Sequence, residues 1–285
     1  MDTILQAIVM GIVQGLTEFL PISSSGHLVV IPYLLGWTNA TGQPIPGQDP
    51  FITSLAFSVV LHLGTLVALL AYFWRDWARI IPAGLATIRD RSFRGDPDRR
   101  LAWLIVVTLP PAIIFGVLLN DFLEQKVRQP ELVAVMMVIG AGILWAADRL
   151  GRRTDEMDRL GFGGAFLIGL AQALALIPGI SRSGISISAG LGLGLTREAA
   201  ARFSFLMATP VIAGAGAWEV KKLLTGESGV AVEVGALVAG FAAATISGFL
   251  AIAWLLRYLR SHPMTIFVAY RLVVAAIVIA FVLQA

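Results

Sequence analysis

Residues 15–27 read GLTEFLPISSSGH, and the way this stretch interrupts an apolar helix decides what the chain can be. Pro21 ends or kinks the helix before it, because proline has no amide proton and clashes with the preceding turn. Ser23, Ser24 and Ser25 then offer hydroxyls suited to capping a new helix. Gln14 and Glu18 are four residues apart and share one helix face. If the next helix begins near Ser24, His27 lies three residues on and shares its face with that serine. A carboxylate, three hydroxyls and an imidazole are thus gathered at a helix break.

The setting of that break is a membrane. Of 285 residues, 57% are hydrophobic and only 14% are charged, against about 25% charged in a soluble domain, and the mean hydropathy is +0.82. The composition is that of an all-α integral membrane protein. A bilayer needs about 17–25 apolar residues per helix, and six stretches qualify: 53–74, 101–121, 131–148, 201–220, 232–256 and 265–284. Two further apolar regions, 3–36 and 162–195, are interrupted by Pro, Gly and Ser at mid-length. Such breaks are tolerated at membrane depth only where the backbone is buried in protein or lines a wet cavity. Both regions are therefore expected to be re-entrant helix pairs.

Basic residues set the orientation. With six spans and two re-entrant pairs, one set of loops carries fifteen Lys and Arg and the other set only Lys126, Arg128, Lys221 and Lys222. The richer set is expected in the cytoplasm, which leaves both termini and the loop Trp37 to Pro50 outside. Were residues 162–195 a single crossing, every later loop would change sides and the bias would weaken. The pI of 9.6 follows from these loop residues, and no separate basic domain suggests a nucleic-acid partner. The opening MDTILQAIVM has an acid where a signal peptide carries basic residues, so no cleavage is expected. Without cysteine there is no disulfide, thiolate metal site or lipidated Cys.

The chain also repeats itself. At an offset of 158, GIVQGLTEFLPISSSGH (11–27) overlies GLAQALALIPGISRSGI (169–185), matching Gly11, Gln14, Leu16, Ile22, Ser23, Ser25 and Gly26 with Gly169, Gln172, Leu174, Ile180, Ser181, Ser183 and Gly184. FSVVLHLGT at 57 and FSFLMATPV at 203 begin the next element of each half. The expectation is one membrane domain, residues 1–285, with repeat 1 at about 1–150 and repeat 2 at about 160–285. Three spans per half make the second half inverted, so that two broken hairpins enter from opposite faces and meet near the midplane.

Three formal charges remain at membrane depth: Glu18, Arg182 and Arg271. Each costs at least ~2.5 kcal/mol at a helix centre, so each should be paired or face a cavity. Arg182 stands where the first repeat has Ser24, so Glu18 and Arg182 belong to facing hairpins. Both breaks expose helix N-termini that attract anions, with Ser181 or Ser183 as cap of the second, and a guanidinium can grip phosphate with two hydrogen bonds. Taken singly, most of these residues have plainer roles. The serines read better as caps or small packing residues, Gln14 and Gln172 equally well as interhelical hydrogen bonds, His62 as a satisfied polar contact, and Arg271 as an internal counter-ion. Glu18 with Arg182 could be an ion pair fixing the hairpins. Their convergence at equivalent breaks of a repeat favours a phosphate site.

At these residues the sequence resembles a known family. QGLTEFLPISSSGH (14–27) is similar to the first signature of the undecaprenyl-pyrophosphate phosphatases, an (E/Q)xxxE helix followed by PxSSxGH, and PGISRSG (178–184) to the second, PGxSRSG. The similarity extends over essentially the whole chain, through FSVVLHLGT, RFSFLMATP and AYRLVVAA. It implies a bacitracin-resistance-type hydrolase of the cell-wall carrier lipid cycle in the bacterial plasma membrane. It also implies six spans with two re-entrant pairs, a metal requirement and a site opening to the periplasmic or outer face. Carried over by position, it points to Gln14 and Glu18, to Ser23, Ser24, Ser25 and His27, and to Ser181, Arg182 and Ser183. Gln14 in place of a second carboxylate puts a two-carboxylate metal site in doubt.

The expected chemistry is phosphoryl transfer from a polyprenyl pyrophosphate. Ser24 is the candidate nucleophile, His27 its general base or the acid for the leaving oxygen, and Arg182 the stabiliser of transferring charge. Ser23, Ser25, Gly26, Ser181, Ser183 and Gly184 are candidates to bind phosphate. One guanidinium cannot balance a pyrophosphate, so a divalent cation is expected, Mg²⁺ before Ca²⁺, with Glu18 as ligand and Gln14 as neutral helper. Direct attack by water activated by Glu18 or His27 gives the same products. A polyprenyl-phosphate flippase or secondary transporter is the alternative, since broken helices and midplane charges also mark transporters. The other membrane lipid phosphatases lose ground for want of a K(x)6RP motif, and an intramembrane serine protease for want of a placed histidine. A homodimer is among the assemblies the sequence allows.

Overall fold

The structure is a computed structural model that describes residues 3–39, 42–93, 96–126, 129–224 and 233–284; Arg94 and Arg128, counted above for topology, lie outside the described residues. Among these residues there are twelve α-helices and no strand: α1 (Thr3–Phe19), α2 (Ser24–Leu34), α3 (Leu55–Tyr72), α4 (Trp74–Asp90), α5 (Pro97–Val107), α6 (Leu109–Lys126), α7 (Pro130–Leu150), α8 (Phe162–Ala173), α9 (Arg182–Gly192), α10 (Arg197–Leu224), α11 (Val234–Leu259) and α12 (Thr265–Val282). Five helical stretches are long and apolar enough to cross a membrane: Pro97–Leu118, Pro130–Leu150, Arg197–Trp218, Val234–Leu259 and Thr265–Val282. The bent pair of α3 and α4 makes a sixth when counted as one span.

Each interrupted region is a pair of short helices. At 1.5 Å per residue the 11-residue α2 and α9 are about 16 Å long, roughly half of a ~30 Å hydrocarbon core. Both begin on the same unusual cap. Ser23 (φ 80°) and Ser181 (φ 77°) hold left-handed backbone conformations, uncommon for any residue but glycine. Their hydroxyls accept from the amides of Gly26 (3.2 Å) and Gly184 (3.0 Å). The breaks are also tied together: Gly179 N donates to Ser23 Oγ (3.2 Å) and Ser183 Oγ donates to Leu20 O (3.0 Å).

Two departures from the sequence expectation stand out. The basic stretch after Tyr72, read as a loop, forms α4, bent by 82° from α3. It buries Ile80, Ala83 and Thr87 and leaves Trp74, Ile81, Leu85 and Ile88 exposed on one face, beside Arg75, Arg79 and Arg89. That partition is the pattern of helices that lie in a membrane surface. The span read at 101–121 starts earlier, at Pro97, and is broken at Thr108 ahead of Pro110 and Pro111, prolines that fit the first turn of α6 because amides there need no intrahelical acceptor.

Small residues allow the closest helix contact. α1 lies against α11 with Gly11 over Gly240 and Gly15 over Ala244 and Gly248; a Cβ at Gly15 would lie 2.6 Å from Ala244 O and would strike Ser247 Oγ. Where lipid removes the hydrophobic drive between helices, such close van der Waals packing supplies the attraction. Polar contacts mark the ends of the bundle. Arg202 pairs with Asp76 (2.7 Å), Arg197 with Asp148 (2.5 Å) and Arg260 with Glu198 (3.0 Å). Arg100 reaches the carbonyl of Leu160 (2.5 Å). The loops expected to share the basic face thus meet at one end, while Gln6 bonds Gln48 (2.8 Å) elsewhere.

Arg271 of α12 is fully buried, and its partners differ from the counter-ion expected of it. It donates to five carbonyl oxygens: Met137 (3.0 Å), Met136 (3.5 Å), Pro21 (3.4 Å), Gly179 (2.7 Å) and Ile180 (3.0 Å). The last three belong to the two helix breaks. Gly140 of α7 makes room, since a Cβ there would overlap the guanidinium. Arg271→Met is expected to leave these carbonyls without donors and cost about 3 kcal/mol, and Gly140→Ala to displace the guanidinium with a loss in the same direction. Thermal unfolding in detergent measures both; unchanged midpoints would remove Arg271 from this role.

Candidate active site

The site forms where the C-terminal turn of α1 meets the first residues of α2 and α9. Glu18, in the last turn of α1, is buried and takes part in four contacts. Its Oε1 accepts from Arg182 Nη2, and its Oε2 accepts from Ser24 Oγ. Oε2 also accepts from Gln14 Nε2 (2.9 Å), one turn back on the same face, and lies 3.6 Å from His62 Nε2. Ser24 and Arg182 are the first residues of α2 and α9, so the two caps aim these side chains at one carboxylate.

The structure brings Gln14, Glu18, Ser24 and Arg182 together, whereas the ring nitrogens of His27 are engaged by other groups. His27 Nδ1 lies 2.7 Å from Ser23 O and its Nε2 lies 2.9 Å from Tyr270 Oη. A carbonyl can only accept, so Nδ1 carries the proton and, in the neutral ring, Nε2 accepts from the Tyr270 hydroxyl. The rings stack at 5.6 Å with 14° between their planes. With both nitrogens engaged, His27 braces the turn that presents Ser24, and the hydrogen-bond acceptor beside Ser24 is Glu18.

The remaining hydroxyls and glycines are used within the breaks. Ser23 and Ser181 cap their helices, Ser25 lies 3.4 Å from Ser23 Oγ, and Ser183 lies 3.3 Å from Ser181 Oγ. The amides of Gly26 and Gly184 already donate to these caps, and a Cβ on Gly184 would come within 3.1 Å of Arg271 Nη1. The amides of Ser24, Ser25, Arg182 and Ser183 open their helices and have no helical carbonyl one turn back, so they are freer to meet a ligand than the glycine amides are.

Two residues escaped the reading of the sequence. His62 was taken as a satisfied polar contact; its Nδ1 does bond Ser58 O (2.7 Å), but its other nitrogen faces Glu18. Tyr270 appears only within AYRLVVAA, and no spacing ties it to His27, which is 243 residues away. Gln172, the counterpart of Gln14, is buried with neither amide atom hydrogen bonded, so the interhelical bond read for it is not made among the described residues.

Among the described residues no group of three or more His, Cys, Asp or Glu forms a ready-made metal site. Among the described residues Gln14 Oε1 is buried without a partner, while its Nε2 bonds the Glu18 carboxylate. One carboxylate and an orphan amide oxygen suit a Mg²⁺ ion that takes one or two protein oxygens and completes its shell from phosphate and water.

The chain is similar to known proteins over nearly its whole length. The chain is 44% identical over 278 residues to the undecaprenyl-diphosphatase of Moorella thermoacetica, covering 98% of this chain and 97% of that one. It is 45% identical over 283 residues to that of Thermomicrobium roseum, covering 96% of each, and 43% identical over 280 residues to that of Geobacter sulfurreducens, covering 98% of each. The family profile described as bacitracin resistance protein BacA matches residues 7–277, a range that holds both broken helices, the Glu18 cluster and Arg271, and the chain belongs to that family.

Proposed function

We propose that this protein hydrolyses undecaprenyl pyrophosphate to undecaprenyl phosphate and inorganic phosphate, returning the carrier lipid to cell-wall synthesis. The relatives bear that activity in their names. The observation that carries it to this chain is the convergence of the Ser24 hydroxyl and the Arg182 guanidinium on one buried carboxylate, Glu18.

In this reading Ser24 is the nucleophile and Glu18 its base. Ser24 Oγ already donates to Glu18 Oε2, so its proton has an acceptor as Oγ attacks the terminal phosphorus. The bond from that phosphorus to the bridging oxygen breaks, and undecaprenyl phosphate leaves with the electron pair, taking the proton that Glu18 received. Water then gives a proton to Glu18 as its oxygen attacks the phosphoserine; the bond from phosphorus to Oγ breaks, inorganic phosphate departs, and Oγ regains its proton from Glu18. Without substrate, Arg182 lies against Glu18; a phosphate entering at the α9 N-terminus competes for its fork and receives the charge stabilisation that phosphoryl transfer requires. His27 and Tyr270 hold the turn below Ser24. A bound divalent cation, Mg²⁺ before Ca²⁺, neutralises pyrophosphate charge, and Glu18 with Gln14 Oε1 would hold it.

The same proposal sets the site in the bilayer. α1–α2 and α8–α9 are read as re-entrant pairs of an inverted repeat with six spans, supported by the matched Ser23 and Ser181 caps and by the pairing of elements. α1 lies on α11 and α8 on α5–α6, while α3 meets α10 and α7 meets α12. The basic end is cytoplasmic and the site opens to the outer face of the plasma membrane, with the polyprenyl tail in lipid.

Phosphate release from undecaprenyl pyrophosphate by purified protein is expected with Mg²⁺ and abolished by EDTA. Ser24→Ala should lower turnover by about 1,000-fold, and near-normal turnover would overturn the covalent route. Arg182→Lys should lose about 100-fold, since an ammonium lacks the guanidinium fork. Because the chain has no cysteine, Gln43→Cys and Asp158→Cys can be labelled singly with a membrane-impermeant maleimide. Gln43→Cys should react in intact cells and Asp158→Cys only after lysis, the reverse pattern overturning the orientation.

A further inference from the structure

We propose that His62 is a third protein ligand of the divalent cation held by Glu18 and Gln14, its imidazole taking the place of the second carboxylate that Gln14 lacks. This rests on the metal-dependent phosphatase reading above and assigns a residue to that site. Three observations on the site carry it.

First, the ring is set for ligation. His62 projects from the middle of α3, and its Nδ1 lies 2.7 Å from Ser58 O. The carbonyl accepts, so Nδ1 holds a proton and, in the neutral ring, Nε2 is the nitrogen with the available lone pair. A metal-binding histidine is commonly fixed in this way, with its far N–H on a backbone carbonyl. His27 has the same carbonyl anchor, but its Nε2 is engaged by Tyr270 Oη at 2.9 Å.

Second, Nε2 faces a carboxylate oxygen without closing on it. The separation from Glu18 Oε2 is 3.6 Å, beyond hydrogen-bond range. A ring nitrogen and a carboxylate oxygen facing each other at this distance need a positive charge to reconcile them, and a cation shared by the two supplies one. Two ligands each about 2.1 Å from one ion are themselves about 3 to 3.5 Å apart, close to the separation observed. The His62 side chain is 30% exposed and that of Glu18 only 3%, so His62 is the accessible member of the pair.

Third, an amide oxygen next to the pair has no partner among the described residues. Gln14 donates through Nε2 to the same Glu18 oxygen, while its buried Oε1 accepts from none of the described residues. Imidazole nitrogen, carboxylate oxygen and amide oxygen then form a mixed donor set. Relative to an all-oxygen site, such a set favours Mn²⁺, Co²⁺ or Zn²⁺ over Mg²⁺.

The test is pulsed EPR on the full-length purified protein with Mn²⁺ and inorganic pyrophosphate. The expected result is nitrogen modulation from a directly bound imidazole, altered when the unmutated protein carries ¹⁵N-histidine, lost in His62→Gln and retained in His27→Gln. Mn²⁺ affinity should fall about tenfold or more in His62→Gln. Bound Mn²⁺ without imidazole modulation, modulation that survives His62→Gln, or no Mn²⁺ binding would each overturn the proposal, and the isotope arm needs no variant to fold. Phosphate release from undecaprenyl pyrophosphate by the same samples separates the two readings. Release that EDTA abolishes without an imidazole signal overturns the His62 assignment alone; an imidazole signal without release overturns the phosphatase reading and keeps the metal site.

Discussion

Arg271 is the constraint on which the rest depends. Two helices are interrupted inside an apolar protein, and the turns that follow them, around Pro21 and around Gly179, hold buried carbonyl oxygens outside any helix. One guanidinium bonds Pro21 O from the first break and Gly179 O and Ile180 O from the second. It is itself fixed by Met137 O. Burying an arginine costs several kcal/mol, and orphan carbonyls in the same place would add their own cost. Each defect offsets the other. A lysine, with three donors around one point, could not span both breaks as the planar fork does.

With the breaks joined, the backbone strain at Ser23 and Ser181 has a purpose. Left-handed φ at a non-glycine residue costs about 1 kcal/mol or more, and here each instance turns the chain sharply before a new helix begins. The residue that follows each turn faces Glu18: Ser24 from one break, Arg182 from the other. The cross-links from Gly179 N to Ser23 Oγ and from Ser183 Oγ to Leu20 O hold the two turns in register. Hydroxyl and guanidinium therefore approach Glu18 from separate segments, with their relative position set by these hydrogen bonds between side chain and backbone.

Much of this was legible because it is local. Pro21, the serine run and PGISRSG announce breaks through chemistry that acts over a few residues, and charge at membrane depth singles out Glu18 and Arg182. Helix faces are periodic, so Gln14 beside Glu18 followed from spacing alone. What escaped depends on distant contacts. Nothing near His62 shows that α3 presents it to Glu18, and nothing near Tyr270 shows that its hydroxyl occupies His27 Nε2. His27 shares a helix face with Ser24 and was read as its base, but a side chain's partners depend on which helix packs opposite. The α4 helix was missed for another reason: its apolar residues recur on one face among arginines, and a search for continuous apolar stretches passes over such a pattern.

The resting site balances one carboxylate against one guanidinium, and this balance bears on how substrate enters. Glu18 is reached by Arg182 through one oxygen and by Ser24 and Gln14 through the other, so the buried charge is compensated before any ligand arrives. A pyrophosphate brings more negative charge than Arg182 alone can match. In the proposed reaction, as the guanidinium turns to phosphate, Glu18 loses its strongest partner in a medium where an uncompensated charge is costly. On that proposal the loss makes Glu18 a better acceptor for the Ser24 proton. Binding and activation would then be coupled through one exchange of partners, the Arg182–Glu18 pair opening as Glu18 takes up that proton.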